Sequence, residues 1–400
     1  MTSFDSLPDG VSPETVAVRG GLLRSNFEET SEALYLNSGY TYESAAAAEA
    51  AFNGDIDRFV YSRYGNPTTA VFQERLRLME GAEACFATAT GMAAVFTSLG
   101  ALLKAGDRLV AARSLFGSCF VVAGEILPRW GIETVFVDGE DLGQWEQALS
   151  QPTTAVFFET PANPMQTMVD IERVSELAHA AGAQVVVDGG FTPVGLQDSM
   201  ALGADVIVHS GTKTMDGQGR VMGGAILGST EYIDGPVKTL MRHTGPALAP
   251  FNAWVLIKGL ETLSLRAERS VASALKIAQF LDADPRVEWT LYPYLESHPQ
   301  HELAKRQMTG GGTVITFSLA AADGASAKER AFRLLDAMQV VDISNNFGDA
   351  KSLITHPATT THRAMGPEGR AAIGLTDGTV RLSVGLENVD DLIADLDRAL

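Results

Sequence analysis

Cysteine is scarce in this chain. Cys85 and Cys119 are the only two in 400 residues, and both lie inside apolar segments, so they read as small buried hydrophobes rather than a disulfide or part of a metal site. A reducing cytoplasm suits such a chain, and no metal is expected. Basic residues are also few, with 30 Lys and Arg against 49 Asp and Glu and a formal net charge of −19. No basic stripe offsets that excess, which argues against nucleic acid as a partner. Long hydrophobic runs are absent too. No stretch approaches the length of a membrane span, and "MTSFDSLPDGVSPETVAVRG" lacks the basic start and apolar run of an export signal, so no membrane partner is expected.

Present instead are 39 glycines, 46% hydrophobic residues and 20% charged residues, a balance that suits an α/β protein with many tight turns. A chain of this length implies more than one domain. The first 60 residues show little periodicity and read as an arm lying over another surface. The spacing then predicts a helix from Pro67 to about Glu80, a strand at "ACFAT" and a helix over "GMAAVFTSLGALLKAG" closed by Gly106. The runs "DRLVAA", "IETVFVD", "TAVFFET", "QVVVD" and "ADVIVHS" alternate with helical or turn-rich segments. That alternation predicts a mostly parallel sheet flanked by helices. A long helical stretch interrupted near Pro246 and Pro250 leads to a smaller C-terminal α/β unit with strands at "GGTVITFSL" and "TVRLSVGL". The expected divisions are an arm at 1–60, a cofactor-binding α/β domain at 61–258 and a smaller domain at 259–400.

In open parallel sheets, ligands gather beyond the carboxyl ends of the strands. Asp188 ends one strand, Lys213 lies just past another beside Ser210 and Thr212, Glu159 to Asn163 follow a third, and Gly91 and Met92 open a helix. A lysine able to hold an aldehyde as a Schiff base, a carboxylate for a pyridine nitrogen and amide and hydroxyl donors for a phosphate are what pyridoxal 5'-phosphate requires.

"YSRYGNPT", "ATGMAA", "ETPANP", "HSGTK" and "VRLSVGLE" stand in an order and spacing that resemble the fold-type I pyridoxal-phosphate enzymes of cysteine and methionine metabolism. The resemblance spans nearly the whole chain and implies a fold-type I transferase. It assigns the covalent cofactor link and proton transfer to Lys213, and the pyridine nitrogen to Asp188. Gly91, Met92, Ser210 and Thr212 would hold the phosphate. Tyr61, counted with Lys213 among the catalytic residues, and Arg63 would reach a neighbouring subunit's phosphate. Phe116 would stack on the ring where relatives often carry tyrosine, and Asn163 and Arg381 would bind the substrate, Arg381 through its α-carboxylate. The chain departs from the family at "DGGFTPVGLQ", where Gly189 replaces a common asparagine and a looser loop behind Asp188 is expected.

The segments "MDGQGR", "MRHTGPALAPFNAW" and "GDAKSLITHPATTTH" resemble those of O-succinylhomoserine sulfhydrylases. This implies replacement of succinate by sulfide to give homocysteine, within a homo-oligomer expected to be a tetramer built from dimers with shared sites. O-Acetylhomoserine as donor, cystathionine synthesis and γ-elimination remain alternatives. In a different class stands a pyridoxal-fold protein that has lost catalysis and serves in assembly.

Overall fold

The fold was analysed in a computed structural model that describes residues 4–8, 10–320 and 324–400. Apolar runs of about five residues build a seven-stranded sheet from β1 (Ala84–Thr88), β2 (Arg108–Ala112), β3 (Glu133–Val137), β4 (Ala155–Glu159), β5 (Gln184–Asp188), β6 (Val206–Ser210) and β7 (Gly224–Gly228). Their order is β1-β7-β6-β5-β4-β2-β3, and β7 alone runs against the others. Alternation decides which face each side chain serves. Leu109, Ala111, Phe157, Val186 and Val208 pack with Val95 and Leu99 of the helix Gly91–Leu102. Val110, Val156, Phe158, Val185 and Val187 pack on the opposite face with Trp145, Val174 and Ala178. Both faces are therefore buried, as a parallel sheet requires.

A second sheet, in the order β10-β11-β12-β9-β8, consists of β8 (Val287–Leu291), β9 (Val314–Leu319), β10 (Asp342–Ile343), β11 (Leu353–Thr355) and β12 (Thr379–Ser383). It is antiparallel except for the β10–β11 pair. Ala274, Ile277 and Leu281 of the helix Leu263–Ala283 and Leu392 and Leu396 of the helix Val389–Ala399 join its core. The chain is thus α/β, with a mostly parallel central sheet and a smaller second sheet. The larger sheet falls within 61–258 and the smaller within 259–400, which is the ground for proposing a division near Gly259. That residue itself lies inside the helix Pro250–Leu260.

Two local expectations change. The helix from Gly91 ends at Leu102, and Gly106, with φ +90°, serves instead in the turn into β2, where its amide reaches Gly131 O. Part of the amino-terminal arm covers its own chain. The fully buried Arg75 donates from Nε to Gly20 O (2.9 Å) and pairs with Glu32, while Thr68 Oγ1 donates to Ala33 O (3.0 Å). Phe27, Leu36 and Phe52 of the same arm are 91%, 71% and 64% exposed. Among the described residues, no helix is long and apolar enough to cross a membrane.

Candidate active site

The carboxyl ends of β4, β5 and β6 open into a cavity of about 320 Å³, lined on the sheet side by Glu159, Asp188, Ser210, Thr212 and Lys213. The loop after β10 supplies Asn345, Asn346 and Phe347 from the other side, and β12 supplies Arg381. Of the residues singled out in the sequence, Gly91, Met92, Phe116, Asn163, Asp188, Ser210, Thr212, Lys213 and Arg381 all line this one cavity. Tyr61 and Arg63 do not. They lie with Tyr64 on a separate surface, Arg63 stacking on both tyrosine rings at 5.2 and 4.9 Å.

Lys213 Nζ donates to Asn346 Oδ1 (2.6 Å) and sits 4.4 Å from the centre of the Phe347 ring. Burial, with the Arg381 charge adding to it, lowers its pKa to about 8. The loop beyond Lys213 is held by Arg266, whose Nη1 donates to Thr214 O (2.7 Å) and whose Nη2 donates to Gly259 O (2.6 Å).

Asp188 Oδ1 accepts from the Gly190 amide (2.9 Å), and Cys119 Sγ donates to Oδ2 (3.6 Å). Burial raises the pKa of Asp188, opposed by these contacts and by the charges of His209 and Lys213. The loop after Asp188 is not slack. Gly189 N donates to Val208 O (2.9 Å), and a side chain at 189 would meet the His209 ring, with Cε1 2.8 Å from the added Cβ. The His209 Nε2 atom lies 2.9 Å from Glu80 Oε1, both residues being buried. Burial works against a proton on His209, yet Glu80 and then Asp188 hold its pKa above the usual histidine value. Where a looser loop was expected, a histidine–glutamate pair stands behind the aspartate.

Arg381 is buried. It donates from Nη1 to Asn163 Oδ1 (2.9 Å) and from Nη2 to the carbonyls of Asn345 (2.8 Å) and Asn346 (3.0 Å), while its Nε has no partner. Burial lowers its pKa to about 10, still leaving it charged near neutrality, and the Glu159 charge opposes that shift. Glu159 accepts the Phe116 amide at Oε2 (2.8 Å), and burial followed by the Asp188 charge raises its own pKa well above the carboxylate range. Below Asn163, His362 Nε2 lies 3.1 Å from its carbonyl oxygen, and the His362 ring meets the edge of Phe116.

At the cavity's other end, Thr90 caps the helix Gly91–Leu102 by accepting the Ala93 amide (3.0 Å). The first-turn amides of a helix lack intrahelical acceptors and favour an anion. Glycine is required at 91 because an added Cβ would fall 2.8 Å from Ser210 Cβ, so the helix start and the end of β6 approach at bare-backbone distance.

The sequence marks Cys119 only as a small hydrophobe and does not single out Asn346, Phe347, His209 or Glu80. Asn346 and Phe347 come from an irregular loop of the smaller sheet, without periodicity to mark them. His209 was visible as a polar residue in an apolar strand beside the candidate lysine.

The model of the Cys/Met metabolism PLP-dependent enzymes matches residues 14–400. The chain belongs to that family. It is 72% identical over 395 residues to the O-succinylhomoserine sulfhydrylase of Mycobacterium tuberculosis, covering 99% of this chain and 97% of the relative. It is 44% identical to the protein of that name from Pseudomonas aeruginosa, covering 99% and 97%. A putative O-acetylhomoserine (thiol)-lyase from Campylobacter jejuni, solved with a pyridoxyl-lysine phosphate, superposes with a TM-score of 0.92 at 33% identity, covering 97% of this chain and 99% of that one.

The family's cofactor is pyridoxal phosphate, and the donor set fits it. A buried amine of lowered pKa, an acid at the next strand end and a capped helix start at close backbone approach surround one cavity, while the unpartnered Arg381 Nε leaves a donor for a substrate carboxylate.

Proposed function

We propose that this protein catalyses γ-replacement on O-succinylhomoserine, sulfide displacing succinate to give homocysteine. The convergence of Lys213, Asp188 and Arg381 on one cavity carries the reaction class. The choice of donor is supported by likeness to O-succinylhomoserine sulfhydrylases over nearly the full length. Pyridoxal phosphate, when bound, supplies an electron sink for negative charge at the substrate α-carbon.

The chain's own residues do the rest. Lys213 Nζ would hold the cofactor aldehyde and, as a free amine, would take the proton from the substrate α-carbon. A pKa of about 8 leaves about a tenth of such amines neutral at pH 7, against a few in ten thousand for an ordinary lysine. Asp188, backed by Gly190, Cys119 and the His209–Glu80 pair, would hold the pyridine nitrogen of the cofactor in its protonated form. Phe116 would pack against the ring, with no proton to give. Arg381, held by Asn163 and the carbonyls of Asn345 and Asn346, orients the α-carboxylate. Gly91, Met92, Ser210 and Thr212 receive the phosphate, joined by Tyr61 and Arg63 of the partner subunit in an oligomer with shared sites. The reaction belongs to the cytoplasm.

The purified protein given O-succinylhomoserine and sulfide should release homocysteine and succinate in equal amounts. Release of ammonia and a keto acid, with sulfide left unconsumed, would replace this reading with elimination.

A further inference from the structure

The charges lining the cavity leave one substrate group without a partner. O-Succinylhomoserine carries an α-carboxylate and a terminal acyl carboxylate, and the cofactor adds a phosphate. Among the described residues, Lys213 and Arg381 are the only lysine or arginine side chains lining the cavity, and both are committed, while the carboxyl groups of Glu159 and Asp188 offer an anion no partner. A second cation site facing the acyl end would supply that partner.

A candidate for such a site lies where Arg63 stands, outside this chain's own cavity. Arg63 Nη1 donates to the main-chain oxygen of Arg242, and the two guanidinium groups stack on the same Tyr64 ring at 4.9 and 5.1 Å. Neither arginine has a carboxylate within ion-pair range among the described residues, in a chain of net charge −19. The Arg242 Nε is screened from solvent and has no hydrogen-bond partner. Arg242 occupies the last turn of the helix Lys238–Thr244, where one cation is favoured by the helix dipole. That preference does not account for a second arginine on the same ring, nor for the unmet Nε. Because the two are in direct contact, any cavity that receives Arg63 receives Arg242 beside it.

We infer that Arg242, working next to Arg63 at the partner subunit's cavity, is a specificity-determining residue that binds the terminal carboxylate of the acyl group. The inference rests on the O-succinylhomoserine reading and the shared-site oligomer proposed above, and names the group that selects a dicarboxylic acyl donor over an uncharged one. Arg63 serves the phosphate and Arg242 the leaving group, so the departing succinate keeps its charge paired as the bond to the γ-carbon breaks.

The test compares kcat/KM for O-succinylhomoserine and for its terminal methyl ester, which has nearly the same shape but lacks the charge, in the wild type, Arg242→Gln and Arg242→Lys. One charge-assisted hydrogen bond sets the wild-type preference for the acid at about ten- to a hundredfold. Arg242→Gln should bring that ratio close to one while keeping the cofactor's visible absorbance per chain, and Arg242→Lys should recover part of it. A wild-type ratio near one overturns the inference, as does an unchanged ratio in Arg242→Gln. Loss of the cofactor band from both variants also overturns it, since that would make Arg242 a phosphate or folding residue. If the wild type converts the acid to ammonia and a keto acid while discriminating against the ester, the proposed reaction fails and the subsite stands.

Discussion

An amine surrounded by apolar side chains and another cation gives up its proton more readily, and that property makes Lys213 fit to bind an aldehyde. Its pKa of about 8 means that the neutral fraction rises as pH rises and levels off above that value. Reloading of cofactor-stripped protein with pyridoxal phosphate, followed by absorbance, should therefore speed up with pH around a midpoint near 8. A midpoint near the ordinary lysine value would mean that Lys213 is not buried in solution. At Asp188, substitution by alanine removes the acid but leaves the phosphate donors in place. Asp188→Ala is expected to retain the cofactor and lose about a hundredfold or more in kcat, with much less change in KM. Unchanged turnover would mean that another group protonates the ring. Both residues were legible in the sequence because each follows a continuous apolar strand. The supports of Asp188 were not, since Glu80 and His209 are 129 residues apart and meet only when a helix packs against the sheet.

At the scale of elements, the strands that form the parallel sheet were legible as apolar runs because both their faces are buried. β7 escaped the same reading. Its sequence, Gly224–Gly228, is bounded by glycine at both ends, and the glycine at its start is demanded by the Thr90 carbonyl, whose oxygen lies 2.4 Å from an added Cβ. The two-residue β10 and the three-residue β11 are too short to show a period. The helix Pro250–Leu260 matters to the site through Gly259, where an added Cβ would lie 2.0 Å from the main-chain oxygen of Met215, two residues beyond Lys213. Backbone cannot yield there as a flexible side chain would. Gly259→Ala should lower unfolding stability by about 2 kcal/mol. Gly235→Ala, at a position with nothing within 4 Å of the added atom, should shift it by about 0.5 kcal/mol or less. Chemical unfolding of both variants gives the comparison, and equal stability would show that the helix does not seat against the lysine loop as described.

For the whole molecule, the cavity is bounded by both sheets, and the arm's exposed apolar side chains and the Tyr61–Arg63–Arg242 cluster lie outside it. The proposed oligomer brings the two together by placing the arm of one subunit at the cavity of the next. Arg63→Ala and Lys213→Ala chains should each be nearly inactive alone, and mixed oligomers of the two, confirmed with differently sized tags, should regain activity because one site then holds both intact residues. No recovery in confirmed mixed oligomers would place Arg63 outside the partner's site. The sequence could not reveal this arrangement from its periodicity, because the pattern of a segment reports the face it buries and not the chain that it meets. The family resemblance alone pointed there. The account as a whole turns on one covalent link. Borohydride reduction of the cofactor-loaded protein, digestion and mass analysis should find the pyridoxyl phosphate group on the peptide containing Lys213, one per chain, and none in Lys213→Ala. Finding the group on any other lysine, or at full occupancy in the variant, would contradict the account.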